Sequence, residues 1–88
     1  KNNQVNIKIY TTKNCPFSKQ LKEYLYADGE PFEEIDISTD KTKIEKCFTE
    51  AGVVSTPVIL VSNYMKRTII FNGWNEGNKY LLLNLLNS

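Results

Sequence analysis

Hydrophobic and polar positions change period several times along the chain. Val5, Ile7 and Ile9 alternate with Asn6, Lys8 and Tyr10, the two-residue period of a first strand. A helix is expected from Pro16 to Ala27. Phe17, Leu21, Tyr24 and Leu25 share one face, proline suits the first helical position, and Gly29 is the expected terminator. Residues 32–37 read as a second strand, with Ile35 and Ile37 on one face. A second helix is expected from Lys41 to Ala51, capped by Asp40 and stopped by Gly52, with Ile44, Cys47, Phe48 and Ala51 as its apolar stripe. Val58-Ile59-Leu60-Val61 is continuously apolar, as in a strand covered on both faces. Residues 62–66 turn the chain, Arg67 to Phe71 form an antiparallel partner, and Asn72-Gly73 breaks it. A leucine-rich helix from Asn75 or Glu76 to Leu86 is expected to serve packing rather than a dimer face.

The predicted order is β-α-β-α-β-β-α. The β-α-β start implies a parallel pair, and the final hairpin adds an antiparallel edge. The expectation is an α/β fold: a four-stranded mixed sheet flanked by three helices, with helices on both faces. Eighty-eight residues suit one domain, 1–88, without linker or repeat.

Composition narrows the chemistry. The chain is 41% hydrophobic and 24% charged, ordinary for a soluble globular protein. A net charge of +1 implies neither nucleic acid nor an anionic membrane as partner. No apolar run nears the roughly 20 residues of a membrane helix, and the polar start Lys1-Asn2-Asn3-Gln4 lacks a signal peptide's apolar stretch. Two cysteines are too few for a disulfide-stapled fold, so a reducing cytoplasm is expected. The absence of histidine excludes imidazole catalysis and a Cys-His pair. Two cysteines without histidine also make a poor zinc set, so no metal is expected.

The chemistry concentrates at Cys15-Pro16-Phe17-Ser18, between the first strand and the first helix. A cysteine there meets the positive end of a helix dipole, which favours thiolate. The dipole is worth about 0.3–2 kcal/mol. Further acidity must come from the Phe17 and Ser18 N–H groups, the Ser18 hydroxyl or Lys13. Cys47, on the apolar stripe of the second helix, is expected in the core, and no Cys15–Cys47 disulfide is expected.

This pattern resembles the glutaredoxin branch of the thioredoxin fold over essentially the whole chain. Residues 10–18 look like the family's active-site entry, Ser55-Thr56-Pro57 like its cis-proline loop, and Phe71-Asn72-Gly73-Trp74 like its glycine turn, with Asn75-Glu76 starting the next helix. The resemblance implies a thiol-disulfide oxidoreductase with glutathione as co-substrate and glutathionylated proteins or small thiols as partners, acting as a monomer. Cys15, Pro16 and Ser18 would form the catalytic loop. Thr56, before a cis Pro57, would pair its backbone with the cysteinyl part of glutathione. Gly73, Trp74, Asn75 and Glu76 would receive the γ-glutamyl carboxylate. Lys13 would attract the glycyl carboxylate, and Phe17 and Trp74 would form apolar walls. Trp74 equally suits the core, and Lys13 a solvated surface. Tyr10, Tyr24 and Tyr80 are expected at the core edge.

The chain departs from the family at several points. Ser18 stands where a second cysteine is usual. Thr56 stands where valine is usual, Val53-Val54 where arginine or glutamine is offered, and Asn75-Glu76 where an acidic pair is common. Lys13 lies two residues before the cysteine rather than three. One-cysteine relatives also include iron–sulfur modules, against which Pro16 argues, and redoxins reduced by a flavoprotein, against which the missing second cysteine argues. Some glutaredoxin-like proteins carry selenocysteine before Pro-Phe-Ser, so Cys15 is also compatible with a selenocysteine position.

Overall fold

The computed structural model of the protein describes residues 5–53, 55–63 and 67–87. The polar start at 1–4, Val54 of the Val53-Val54 stretch and residues 64–66 of the expected turn lie outside the described residues. The order is β1 (Asn6–Thr11), α1 (Pro16–Ala27), β2 (Glu33–Asp36), α2 (Lys41–Ala51), β3 (Val58–Ser62), β4 (Thr68–Asn72) and α3 (Glu76–Leu86). The sheet order is β2-β1-β3-β4. β1 is parallel to β2 and antiparallel to β3, and β3 is antiparallel to β4. This is the expected four-stranded mixed sheet with three helices.

Residue chemistry sets the helix ends. The Asp40 carboxylate accepts from the Thr42 N–H at 2.9 Å, capping α2. After α1, the Gly29 N–H reaches the Tyr26 carbonyl and the Glu30 N–H reaches the Leu25 carbonyl. That paired closure needs a left-handed residue, and Gly29 supplies it at φ 70°. The expected strands shift slightly. β2 is shorter than residues 32–37, although the Ile37 N–H still bonds the Thr11 carbonyl at 2.9 Å. β4 begins and ends one residue later than expected.

Two apolar layers enclose the sheet. Ile7, Ile9, Ile59, Val61 and Phe71 pack with Leu21 and Leu25 of α1 and Leu82 and Leu86 of α3. On the other face, Tyr10, Val58, Leu60 and Ile35 pack with Cys47 and Ile44 of α2. Three expectations fail in detail. Phe48 is 59% exposed, because α2 seals its face with Ile44, Cys47 and Ala51 alone. Tyr80 is 64% exposed rather than at the core edge, and Leu81 and Leu83 of α3 are also exposed. Tyr10 is fully buried, because α2 covers the β1 face that reads as polar.

Under α2 that face has its own polar solution. The Tyr10 hydroxyl donates to the Glu50 carboxylate, and Lys8 Nζ lies 3.1 Å from the same group. The Tyr10 hydrogen bond, reinforced by Lys8 against the cost of burial, holds the Glu50 carboxyl below its ordinary pKa. Burial, followed by Glu50, pushes the Tyr10 phenol above its own. The Lys8 ion pair is partly exposed and adds little by itself.

A carboxyl with a depressed native pKa stabilises above its unfolded pKa, about 4.3, and loses that contribution as pH falls through the native value. Glu50→Gln should therefore lower stability at pH 7 by about 1–2 kcal/mol and flatten the fall in stability below pH ~4.3. Urea titrations at a series of pH values measure both effects.

Candidate active site

Cys15 sits where β1 has ended and α1 begins, as the cap residue of α1 with extended backbone, followed by Pro16 at the first helical position. Its side chain caps nothing and is free for chemistry. The Lys19 N–H bonds the Cys15 carbonyl at 3.2 Å, so the helix starts directly at the thiol. Cys15 Sγ lies 3.5 Å from the Thr56 carbonyl oxygen. The Thr56–Pro57 bond is cis, as expected.

The second expected loop therefore faces the first. The Thr12 and Thr56 hydroxyls lie 3.2 Å apart, joining the two loops beside the sulfur. The third loop is tied to the second: the Gly73 N–H donates to the Pro57 carbonyl at 2.8 Å. Gly73 holds φ 90°, a conformation that a side chain would strain.

Several influences act on the Cys15 thiol. Partial burial pushes its pKa up. The Ser18 hydroxyl and N–H, the Thr56 hydroxyl and the Phe17 N–H outweigh that and hold the thiol below its ordinary pKa. Ser18 is 1% exposed, and its Oγ makes no well-formed hydrogen bond among the described residues. A thiolate at Cys15 is the acceptor that hydroxyl can serve. Cys47 is the opposite case. It is buried on the other face of the sheet, its Sγ is 3.5 Å from the Val53 carbonyl, and burial followed by Glu50 pushes its thiol up. Both cysteines are free.

The remaining expected residues surround this centre unequally. Phe17 is 52% exposed beside Cys15, and Pro16 is exposed. Trp74 resolves toward the core: it is buried in the α1–α3 layer, with its ring 5.3 Å from that of Tyr24. It still lines a cleft with Gln20, Tyr24, Asn75, Glu76 and Lys79. Asn75 caps α3, its Oδ1 accepting from the Asn78 N–H at 2.8 Å, and Glu76 is the first residue of that helix. Lys13 contacts Ser38 and acts on Asp36. Its N–H donates to Ser38 Oγ at 2.8 Å, and its charge acts on Asp36, whose carboxyl Ser38 chiefly, and Lys13 further, hold below the ordinary value.

Sequence reasoning gave Thr12 no role of its own and did not find Asn78 or the cleft residues Gln20 and Lys79. Asn78 Nδ2 donates to the carbonyls of Asn72 at 3.1 Å and Gly73 at 2.9 Å, which clamps the glycine turn. The available signal was spacing: Gln20 and Tyr24 lie one helical turn apart, as do Asn75 and Asn78.

An activated cysteine at a helix start, faced by a cis-proline loop and a glycine turn, defines a thiol-disulfide oxidoreductase of the thioredoxin fold. The chain belongs to the glutaredoxin family, whose model matches residues 7–64. It is 30% identical to glutaredoxin 3 of Escherichia coli (strain K12) over 56 residues, 64% of this chain and 68% of that protein. It is 33% identical to the N-acetyl-S-hydroxy-L-cysteine reductase of Bacillus subtilis (strain 168) over 55 residues, 62% of this chain and 59% of that one. The crystal structure of the glutaredoxin (grx-1) from Archaeoglobus fulgidus superposes with a TM-score of 0.71 at 28% identity, covering 92% of this chain and 88% of that one.

Ser18→Ala and Thr56→Val should each raise the pH midpoint of Cys15 alkylation, since each removes a donor to the thiolate. Iodoacetamide rates as a function of pH give that midpoint. Cys47 should stay unmodified until the protein unfolds.

Proposed function

We propose that the protein reduces glutathione mixed disulfides by a monothiol mechanism in which Cys15 is the nucleophile. The observation that carries this reading is Ser18. It is buried beside Cys15 at the usual position of a second thiol, and Cys47 lies on the opposite face of the sheet. Neither position offers a sulfur to resolve an intermediate at Cys15.

The Cys15 thiolate attacks the glutathione sulfur of a mixed disulfide R–S–SG. The Cys15–SG bond forms, the RS–SG disulfide bond breaks, and R–S⁻ leaves and takes up a proton. A second glutathione, as thiolate, attacks the same glutathione sulfur. Oxidised glutathione departs and the Cys15 thiolate is regenerated. Each turnover thus consumes one reduced glutathione, the other half of the oxidised product coming from the mixed disulfide, which suits a cytoplasmic setting where reduced glutathione is abundant.

The groove has a role for each expected residue. The backbone before cis Pro57 offers Thr56 as a pairing edge for the cysteinyl part. The unbonded N–H groups at the start of α3, after Gly73 and Trp74, suit a carboxylate. Glu76 and Lys79 give that cleft one charge of each sign, matching the zwitterionic γ-glutamyl end. Phe17 forms an apolar wall at the sulfur, and Lys13 is the cation for the glycyl carboxylate.

Incubation with oxidised glutathione should add one glutathionyl group by intact mass, and Cys15→Ser should show none. The same variant should lose turnover of a glutathionylated peptide to background. Ser18→Cys should convert the adduct to an internal disulfide, two hydrogens lighter than the reduced protein. An unmodified wild-type protein after this treatment, or deglutathionylation retained by Cys15→Ser, would overturn the proposal.

A further inference from the structure

Thr12 meets the reactive residue twice. Its carbonyl accepts the Cys15 N–H at 3.4 Å, and its Oγ1 lies 3.2 Å from Thr56 Oγ1. Thr56 in turn faces the sulfur, with its carbonyl oxygen 3.5 Å from Cys15 Sγ. Both threonines are half-buried, so the contact between their hydroxyls is partly withdrawn from water.

A hydroxyl carries one hydrogen and two lone pairs, so only one of two paired hydroxyls donates to the other. The charge on sulfur decides which. A protonated Cys15 gives its S–H to the Thr56 carbonyl and leaves the Thr56 hydroxyl free to donate to Thr12. An ionised Cys15 has no hydrogen to give and becomes an acceptor. The Thr56 hydroxyl then serves the sulfur, as one of the neutral donors that favour the thiolate. With its single hydrogen committed there, the contact at 3.2 Å persists as a hydrogen bond only if Thr12 donates.

We propose that Thr12 is a positioning residue for Cys15: its hydroxyl donates to Thr56 Oγ1 when Cys15 is ionised, and so holds the Thr56 hydroxyl toward the sulfur. The two hydroxyls reverse direction as the sulfur changes charge. A hydroxyl that accepts one hydrogen bond donates a stronger one. Thr12 thus acts through Thr56 rather than on the sulfur directly. The inference rests on Cys15 as the reactive thiol and not on glutathione as its partner, so its test uses no glutathione and stands apart from that of the glutathione cycle. The charged groups that border the site are Lys13 and Lys19 beside Cys15 in the chain, Asp36 at the end of β2, and Glu76 and Lys79 of α3. None is altered in the variants compared.

The measurement is the pH midpoint of Cys15 alkylation by iodoacetamide, with far-UV dichroism to follow the fold of each variant. Thr12→Val should raise the midpoint by about 0.2–0.5 unit, the loss of roughly 10–30% of a charge-assisted hydrogen bond. Thr12→Ser keeps the hydroxyl and should keep the wild-type midpoint. In a Thr56→Val background, Thr12→Val should add nothing, because the link to the sulfur is already gone. A merely structural role for Thr12 would shift both backgrounds alike. If Thr12→Val does not fold, Thr12→Ala, alone and with Thr56→Val, gives the same comparison. An unshifted midpoint in the folded variant would overturn the proposal. So would an equal shift in Thr12→Ser, or a Thr12→Val shift that persists undiminished in Thr56→Val.

Discussion

The burial of β1 and β3 on both faces is the constraint on which the site depends. Ile9 and Ile59 pair across the centre of the sheet and are shielded by α1 and α3. Tyr10 and Val58 do the same under α2. These strands cannot shift by one residue without exchanging two differently shaped apolar layers. The end of β1 and the start of β3 are consequently fixed side by side. Cys15 follows the one and Thr56-Pro57 precedes the other, so the thiol meets the cis-proline loop through packing far below it.

The acidity of Cys15 is assembled from short polar contacts rather than from a neighbouring cation. Lys13 lies two residues before the cysteine, but its main chain is anchored at Ser38 and its charge acts on Asp36. Hydroxyl and N–H donors from Ser18, Phe17 and Thr56 favour the thiolate. A more acidic thiol is more often ionised but intrinsically less nucleophilic, with a Brønsted slope of about 0.4–0.5. These effects largely offset each other in attack. The net advantage lies in departure, because a low-pKa sulfur leaves more readily. A cycle that must release residue 15 to an external thiol gains most from such a site.

Much of this was legible in the sequence where local chemistry decides the outcome. Both bounds of α1 and α2 follow from Pro16, Gly29, Asp40 and Gly52, residues whose caps act within a few positions. The order of elements and the three loops around Cys15 were legible for the same reason. The illegible features are those that another element imposes. Lys8 and Tyr10 alternate with Ile7 and Ile9 as a solvated face would, yet α2 covers them and Glu50 answers them. Phe48 fits its helix stripe by spacing, yet of α2 only Ile44, Cys47 and Ala51 pack in that layer. Thr12 becomes part of the site only because Thr56, 44 residues away, is folded against it.

The clamp on the glycine turn bears on how this protein binds anything at all. Asn78 gives its side-chain amide to the Asn72 and Gly73 carbonyls and its main-chain N–H to Asn75, while the Gly73 N–H is held by Pro57. The turn is thus rigid before a ligand arrives. Ordering its backbone would otherwise oppose binding by about 1–2 kcal/mol per residue. Here that entropic loss falls on folding rather than on binding. Selectivity among thiols of similar shape then rests on the side chains that line the cleft, not on the loop's willingness to close.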